Sequence, residues 1–193
     1  MKEVEVNKLA KLSEHFSLGE MTRTSYHPQD GNIPSRVHIE NLINLCENWL
    51  EELRSRYNLL YGQRRVTREG QSPSNSVAEL PAHRGDSPCV SHAHRGDSPC
   101  VSQESPIVIN SGFRSPEVNQ KCGGAKNSNH LTGCAVDIHC AGKEQAIRYA
   151  CILLDIADGK KMDFDELILE KRGTTIWVHF AVRPKGNRRY VDF

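Results

Sequence analysis

The sequence predicts an α+β domain, a small antiparallel sheet with flanking helices. Three observations lead there. Apolar residues recur at helical spacing over 35–57 and again over 143–157. Short apolar runs over 107–110, 135–139, 164–169 and 175–182 have the length of strands. Two of those runs are interrupted by chemistry: Asp137 inside Ala-Val-Asp-Ile and His179 inside Ile-Trp-Val-His-Phe.

Taken in order, residues 11–34 read as an irregular lead-in. Ser35 follows Pro34 as an N-cap, and Ile39, Leu42, Ile43, Cys46, Trp49, Leu50, Leu53 and Tyr57 then form a core-facing stripe. Residues 60–105 are rich in Ser, Pro, Gly, Arg and His and contain a direct repeat, Ala82 to Ser91 and Ala93 to Ser102. Such a composition buries too little to offset its ordering entropy, so a disordered insertion is expected there. Each repeat carries Arg-Gly-Asp-Ser-Pro, which matches the integrin-binding tripeptide context. A tandem duplication in a tolerant surface loop is the simpler account.

After the insertion, Ile107 to Asn110 reads as a strand. Ser115, Pro116 and Glu117 supply an N-cap, a proline at the first helical position and an acid in the first turn. That helix should run to about Cys122 and end at Gly123-Gly124. Residues 135–139 form the strand carrying Asp137, and 143–157 an amphipathic helix with Ala146, Ile147, Ala150, Cys151 and Leu154 inward. Phe164 to Leu169 and Thr175 to Val182 pair antiparallel around a turn at Lys171-Arg172-Gly173-Thr174. The chain is thus read as a single domain over 1–193, interrupted at about 60–105.

A length of 193 residues allows a sizeable core. A net charge of +1 gives no bias toward nucleic acid or membrane surfaces. No stretch approaches the roughly 18 apolar residues of a membrane span, so no membrane insertion is expected. The N-terminal residues are charged and lack the apolar segment of a secretory signal. Without such a signal, the seven cysteines are expected as reduced thiols.

A buried carboxylate is costly unless it is paired or bound to a metal. Asp137 and His179, joined by His130 in Ser-Asn-His-Leu-Thr-Gly, make a set of two histidines and one carboxylate. That set suits zinc with one position left open, so one Zn2+ per chain in a zinc cleft is the expected cofactor. The spacing from His130 to Asp137 is too wide for one helix face; it suits a loop histidine, a reversal at Gly133 and an aspartate on the strand that follows. Cys134 and Cys140 flank this motif as rival ligands but lack the paired spacing of zinc-thiolate sites. His139 should share the strand face of Asp137, as a group supporting the ligands or as an extra ligand.

Ser-x-His-x-x-Gly-x-Ala-x-Asp, preceded by Ser111-Gly112-Phe113-Arg114-Ser115-Pro116 and by Gly123 to Asn127, resembles the D-Ala-D-Ala carboxypeptidase family of zinc metallopeptidases. The family includes carboxypeptidases, dipeptidases and phage endolysins, with the hedgehog signalling domain as a distant relative. The likeness covers residues 11–59 and 106–193 and is greatest to small single-domain members. It implies hydrolysis of peptide bonds in peptidoglycan stem peptides, a D-Ala-D-Ala bond first among them, by a monomer. It also implies action at the cell wall or periplasm, reached from the cytoplasm by a phage-type release. The matching arginine, Arg114, would hold substrate and stabilise an oxyanion, with Ser128 contacting substrate at the edge of the site.

A general base is also required. Many relatives have an acid three residues before the last histidine, where this chain has Ile176. Closer relatives resemble Phe164-Asp165-Glu166-Leu167-Ile168-Leu169-Glu170 followed by Trp-Val-His, which makes Glu170 the first candidate for the base. Hairpin pairing around a tight turn near Arg172-Gly173 places position 166 roughly opposite 179 on the same face, which makes Glu166 the second. The absent acid at 176 keeps an alternative open: a hedgehog-like, non-catalytic zinc-bearing binding module.

Overall fold

The computed structural model describes residues 7–62 and 105–193. The bulk of the stretch read as a disordered insertion, with both Arg-Gly-Asp repeats, lies outside the described residues. Described residues on either side of it meet. Asn58 accepts from the Ser105 backbone N–H at 2.9 Å through Oδ1, and its Nδ2 donates to the Ser105 carbonyl at 3.3 Å.

The lead-in is held by a short helix, α1 (Leu18–Met21), capped by Ser17 in a reciprocal capping box with Glu20. Phe16, Leu18 and Met21 are buried in the core. The long helical region begins at its expected cap, Ser35, which accepts from the His38 N–H. It runs as α2 (Arg36–Leu45), a π-helical turn (Cys46–Leu50) and α3 (Glu51–Tyr61), and so extends past the residue where the insertion was expected to begin. Its apolar stripe is buried as expected at Leu42, Cys46, Trp49, Leu50 and Leu53, with Leu45 added. Trp49 packs on Phe180 and Phe164, with ring centroids 4.9 and 6.5 Å away. Burying a side chain of this size contributes about 1.5–3 kcal/mol.

Strand β1 (Ile109–Ser111) leads to α4 (Pro116–Lys121), capped by Ser115 with Pro116 at its first position. A 3-10 turn (Asn129–Thr132) precedes β2 (Ala135–Cys140). Helix α5 (Lys143–Lys160) follows, then β3 (Glu166–Arg172), β4 (Thr175–Ala181) and β5 (Tyr190–Asp192). The α5 stripe is rotated from its expected position. Tyr149, Ile152, Leu153, Ile156 and Ala157 face the core beside Ala146 and Ala150, while Ile147 and Cys151 are exposed. Tyr149 is tolerated inside because its ring packs on Tyr57 and its hydroxyl accepts from Gln145 at 2.9 Å.

The sheet order is β1-β2-β4-β3-β5. Four strands pair antiparallel as expected, but β5 runs parallel to β3, so the sheet is mixed rather than antiparallel. Alternation divides its faces. Val136, Ile138, Leu167, Val178 and Phe180 join one hydrophobic cluster with the helices. Asp137, Trp177, His179, Glu166 and Glu170 stand on the other face.

Asp165 anchors the segment that leads into β5. It is fully buried just before β3 and accepts from the Arg188 backbone N–H, Nε and Nη2, from Arg183 Nη2 and from Asn129 Nδ2. Burial works to raise its pKa, but the hydrogen bonds from Arg188, Asn129 and Arg183 overcome this and hold it well below the ordinary carboxylate range. The stability this contributes is fully present above the unfolded-state value of about 4 and is lost as pH falls through the lower folded value. Asp165→Asn should therefore cost about 2–3 kcal/mol at pH 7 in urea melts. The gap between wild type and variant should narrow steadily below about pH 4; a gap unchanged down to pH 2 would refute this account.

Candidate metal centre

The 3-10 turn, β2 and β4 bring three side chains to one point. Asp137 and His179 are register partners across β2 and β4, so both stand on the face away from the helices. His130 descends from the turn that ends at Gly133, whose backbone is left-handed with φ 71°. Gly133 is needed for space as well: a Cβ there would lie 2.6 Å from the His38 carbonyl oxygen. Gly112 makes a similar close approach, its Cα facing the Met21 carbonyl, and its own carbonyl meets His130.

Asp137 Oδ1 lies 3.2 Å from His130 Nε2 and 2.9 Å from His179 Nδ1. One ligand-type atom from each of the three residues falls within a 4.8 Å group. His130 Nδ1 is 2.6 Å from the Gly112 carbonyl, which can only accept. Nδ1 therefore carries a proton, which leaves Nε2, the nitrogen that faces Asp137, as the one a metal would take. This is the tautomer a metal ligand requires, so the donor set fits a zinc ion.

Burial opposes the charge on Asp137, but facing His130, His179 and Arg114 hold its carboxyl well below the usual range. His179 is opposed by burial too, yet the Asp137 and Glu166 carboxylates push its pKa up to about 9. A cation at this point would take the place of that proton.

The remaining expected residues separate by position. Arg114 is committed to this cluster: it pairs with Asp137 Oδ2 and its Nε donates to Ser111 Oγ at 2.7 Å. Ser128 caps the 3-10 turn by accepting from the His130 N–H at 3.3 Å. Glu166 reaches His179 Nε2 at 3.2 Å, although its register partner is Ala181 rather than His179. Glu170 lies opposite Trp177 and accepts from its indole N–H. It is displaced from the partner of His179, Ile168, by the same two residues as Glu166, in the other direction.

His139 shares the Asp137 face but is exposed and outside the three-residue group. Cys140 turns into the core beside Ile138, and burial raises its thiol to about 11. Cys134 is buried with its thiol toward the Thr132 carbonyl. Neither joins the ligand group. Ile176 also faces the core, because residues three apart on a strand point to opposite sides.

Sequence reasoning missed Asn129, Asp165 and Arg188. Asn129 Nδ2 donates to both Asp165 Oδ2, at 2.8 Å, and Glu166 Oε2, at 2.9 Å. Arg188 pairs with Asp165 and Glu166. The available signals were the adjacency of Asn129 to His130 and of Asp165 to Glu166.

Residues 102–168 match the Peptidase M15 family model. The match spans Arg114, Ser128, His130, Asp137 and Glu166 and stops short of Glu170 and His179. It supports the zinc-dependent peptidases of the D-Ala-D-Ala carboxypeptidase type without singling out a member. No curated protein matches the chain.

The turn geometry makes a testable demand. Gly133→Ala should lose about 1–3 kcal/mol from its left-handed backbone alone, and zinc uptake should weaken with it. Thermal melting and a zinc-binding titration on the same preparation check both; an unperturbed variant would show that the turn tolerates a side chain.

Proposed function

We propose that the chain is a zinc metallopeptidase that hydrolyses peptide bonds in peptidoglycan stem peptides, a D-Ala-D-Ala bond first among them. The observation that carries this reading is the convergence of two imidazoles and one buried carboxylate, two of the three residues, His130 and Asp137, lying inside the stretch that matches a peptidase family. His130, Asp137 and His179 would hold the ion. When bound, zinc supplies a Lewis acid that lowers the pKa of water and polarises a carbonyl.

The chain's own side chains do the rest. Glu170 is the proposed general base, a carboxylate oxygen taking the proton of the attacking water and returning it to the leaving amine. It stands on the face of His179, and the Trp177 indole orients it. Glu166 is a weaker candidate because its oxygens already receive Arg188, Asn129 and His179. Arg114 fixes Asp137 and can direct its remaining N–H groups at a substrate carboxylate or the developing oxyanion. Ser128 is proposed to contact substrate from the rim of the turn. Ile176 faces the core, so this reading places the base on β3, and the missing acid at 176 is what keeps the binding-module alternative open. Among the described residues, no helix is long and apolar enough to cross a membrane. Action at the wall after phage-type release is part of this proposal.

Purified protein should contain about one zinc per chain, as the three-ligand set demands. His179→Ala should lose both metal and cleavage. Glu170→Gln should keep the metal and lower kcat by about 10²- to 10⁴-fold. Mass spectrometry of digested peptidoglycan reads the bond cleaved: free D-Ala marks a carboxypeptidase, split crosslinks an endopeptidase. Full cleavage by His179→Ala would sink the mechanism. A zinc-loaded wild type that cleaves nothing would favour the hedgehog-like binding module.

A further inference from the structure

An imidazole that binds a metal through one ring nitrogen must keep its proton on the other, and something must hold that proton. For His130 the Gly112 carbonyl does so. The two histidines use opposite nitrogens: His130 turns Nε2 and His179 turns Nδ1 toward Asp137 Oδ1. The far nitrogen of His179, Nε2, faces Glu166 Oε2 at 3.2 Å.

Glu166 is itself gripped. Asn129 Nδ2 donates to Oε2 at 2.9 Å, and Arg188 Nη2 donates to Oε1. Both donors are anchored in turn on buried Asp165. The 3-10 turn that carries His130 therefore also carries, through Asn129, the support for the group behind His179.

We propose that Glu166 is a positioning residue, whose carboxylate takes the Nε2–H of His179 and so presents Nδ1 to the metal, with Asn129 and Arg188 holding that carboxylate in place. The assignment rests on the metal-centre reading above. It gives Glu166 a task other than proton transfer to substrate.

Zinc affinity of the full chain, measured by competition with a chromogenic chelator, tests it. Glu166→Ala should weaken zinc binding about 10- to 100-fold. Glu166→Gln keeps an acceptor oxygen for His179 and should recover most of that loss. Melting of each variant in EDTA separates loss of fold from loss of metal. In zinc-loaded wild type, two-bond 1H–15N spectra should place the His179 proton on Nε2. The assignment is overturned if Glu166→Ala binds zinc within twofold of wild type while His179→Ala does not. It is equally overturned if folded Glu166→Gln is as weak as Glu166→Ala. Failure of the wild type to take up zinc would instead remove the metal reading, and this assignment with it.

Discussion

The constraint on which the rest depends is the burial of Asp137. A carboxylate 6% exposed among apolar strand residues must recover its lost hydration from fixed partners. It does so from three separate stretches of chain: His130 on the turn before it, His179 across the β2–β4 ladder and Arg114 after β1. Each partner dictates backbone. The His179 contact fixes the register of β4 against β2, since a slip of one residue would drive His179 into the helices and Val178 to the open face. The His130 contact requires the reversal at Gly133, and the Arg114 contact requires Gly112 to press against Met21.

That arrangement works because the other face of the sheet is committed to packing. Trp49, Phe164 and Phe180 interlock beneath it, and α5 adds Tyr149, Leu153 and Ile156. The helices thus secure the strands from one side and leave the opposite side free for polar chemistry. The same alternation disposes of the apparent defect at position 176. An acid there would be directed into the apolar cluster, so an apolar residue is what the fold requires, and the proposed base belongs on another strand.

The legible parts of the sequence were those with a period or an interruption of one. The stripe after Ser35, the cap at Ser115 and the runs around Asp137 and His179 announced their structures because burial imposes regular spacing. Asp137 and His179 stood out because they break apolar runs. What stayed hidden is held by long-range polar contacts. Strand β5 has three exposed residues and no alternation, and the segment before it is anchored through Arg183 and Arg188 on Asp165, about twenty positions away. The inward face of α5 was misplaced for a related reason: Ile147 and Cys151 look apolar, whereas Tyr149 is satisfied inside only by Gln145 and Tyr57.

Glu166 and Glu170 show where spacing alone runs out. Both lie on the face of His179, each two residues from Ile168, the register partner of that histidine, so periodicity treats them alike. Their neighbours separate them. Glu166 is met by an imidazole, an amide and a guanidinium, and is held at about 2 first by the His179 bond, against burial, with Asn129 and Arg188 adding to it. Glu170 is met by one indole N–H. An oxygen saturated by donors serves to orient its neighbours, whereas a base needs a lone pair free to meet a proton. Two identical side chains two strand repeats apart thus sit in different surroundings, on which the two proposed tasks rest, and the difference is made by Asn129 and Arg188, residues that neither glutamate's own segment contains.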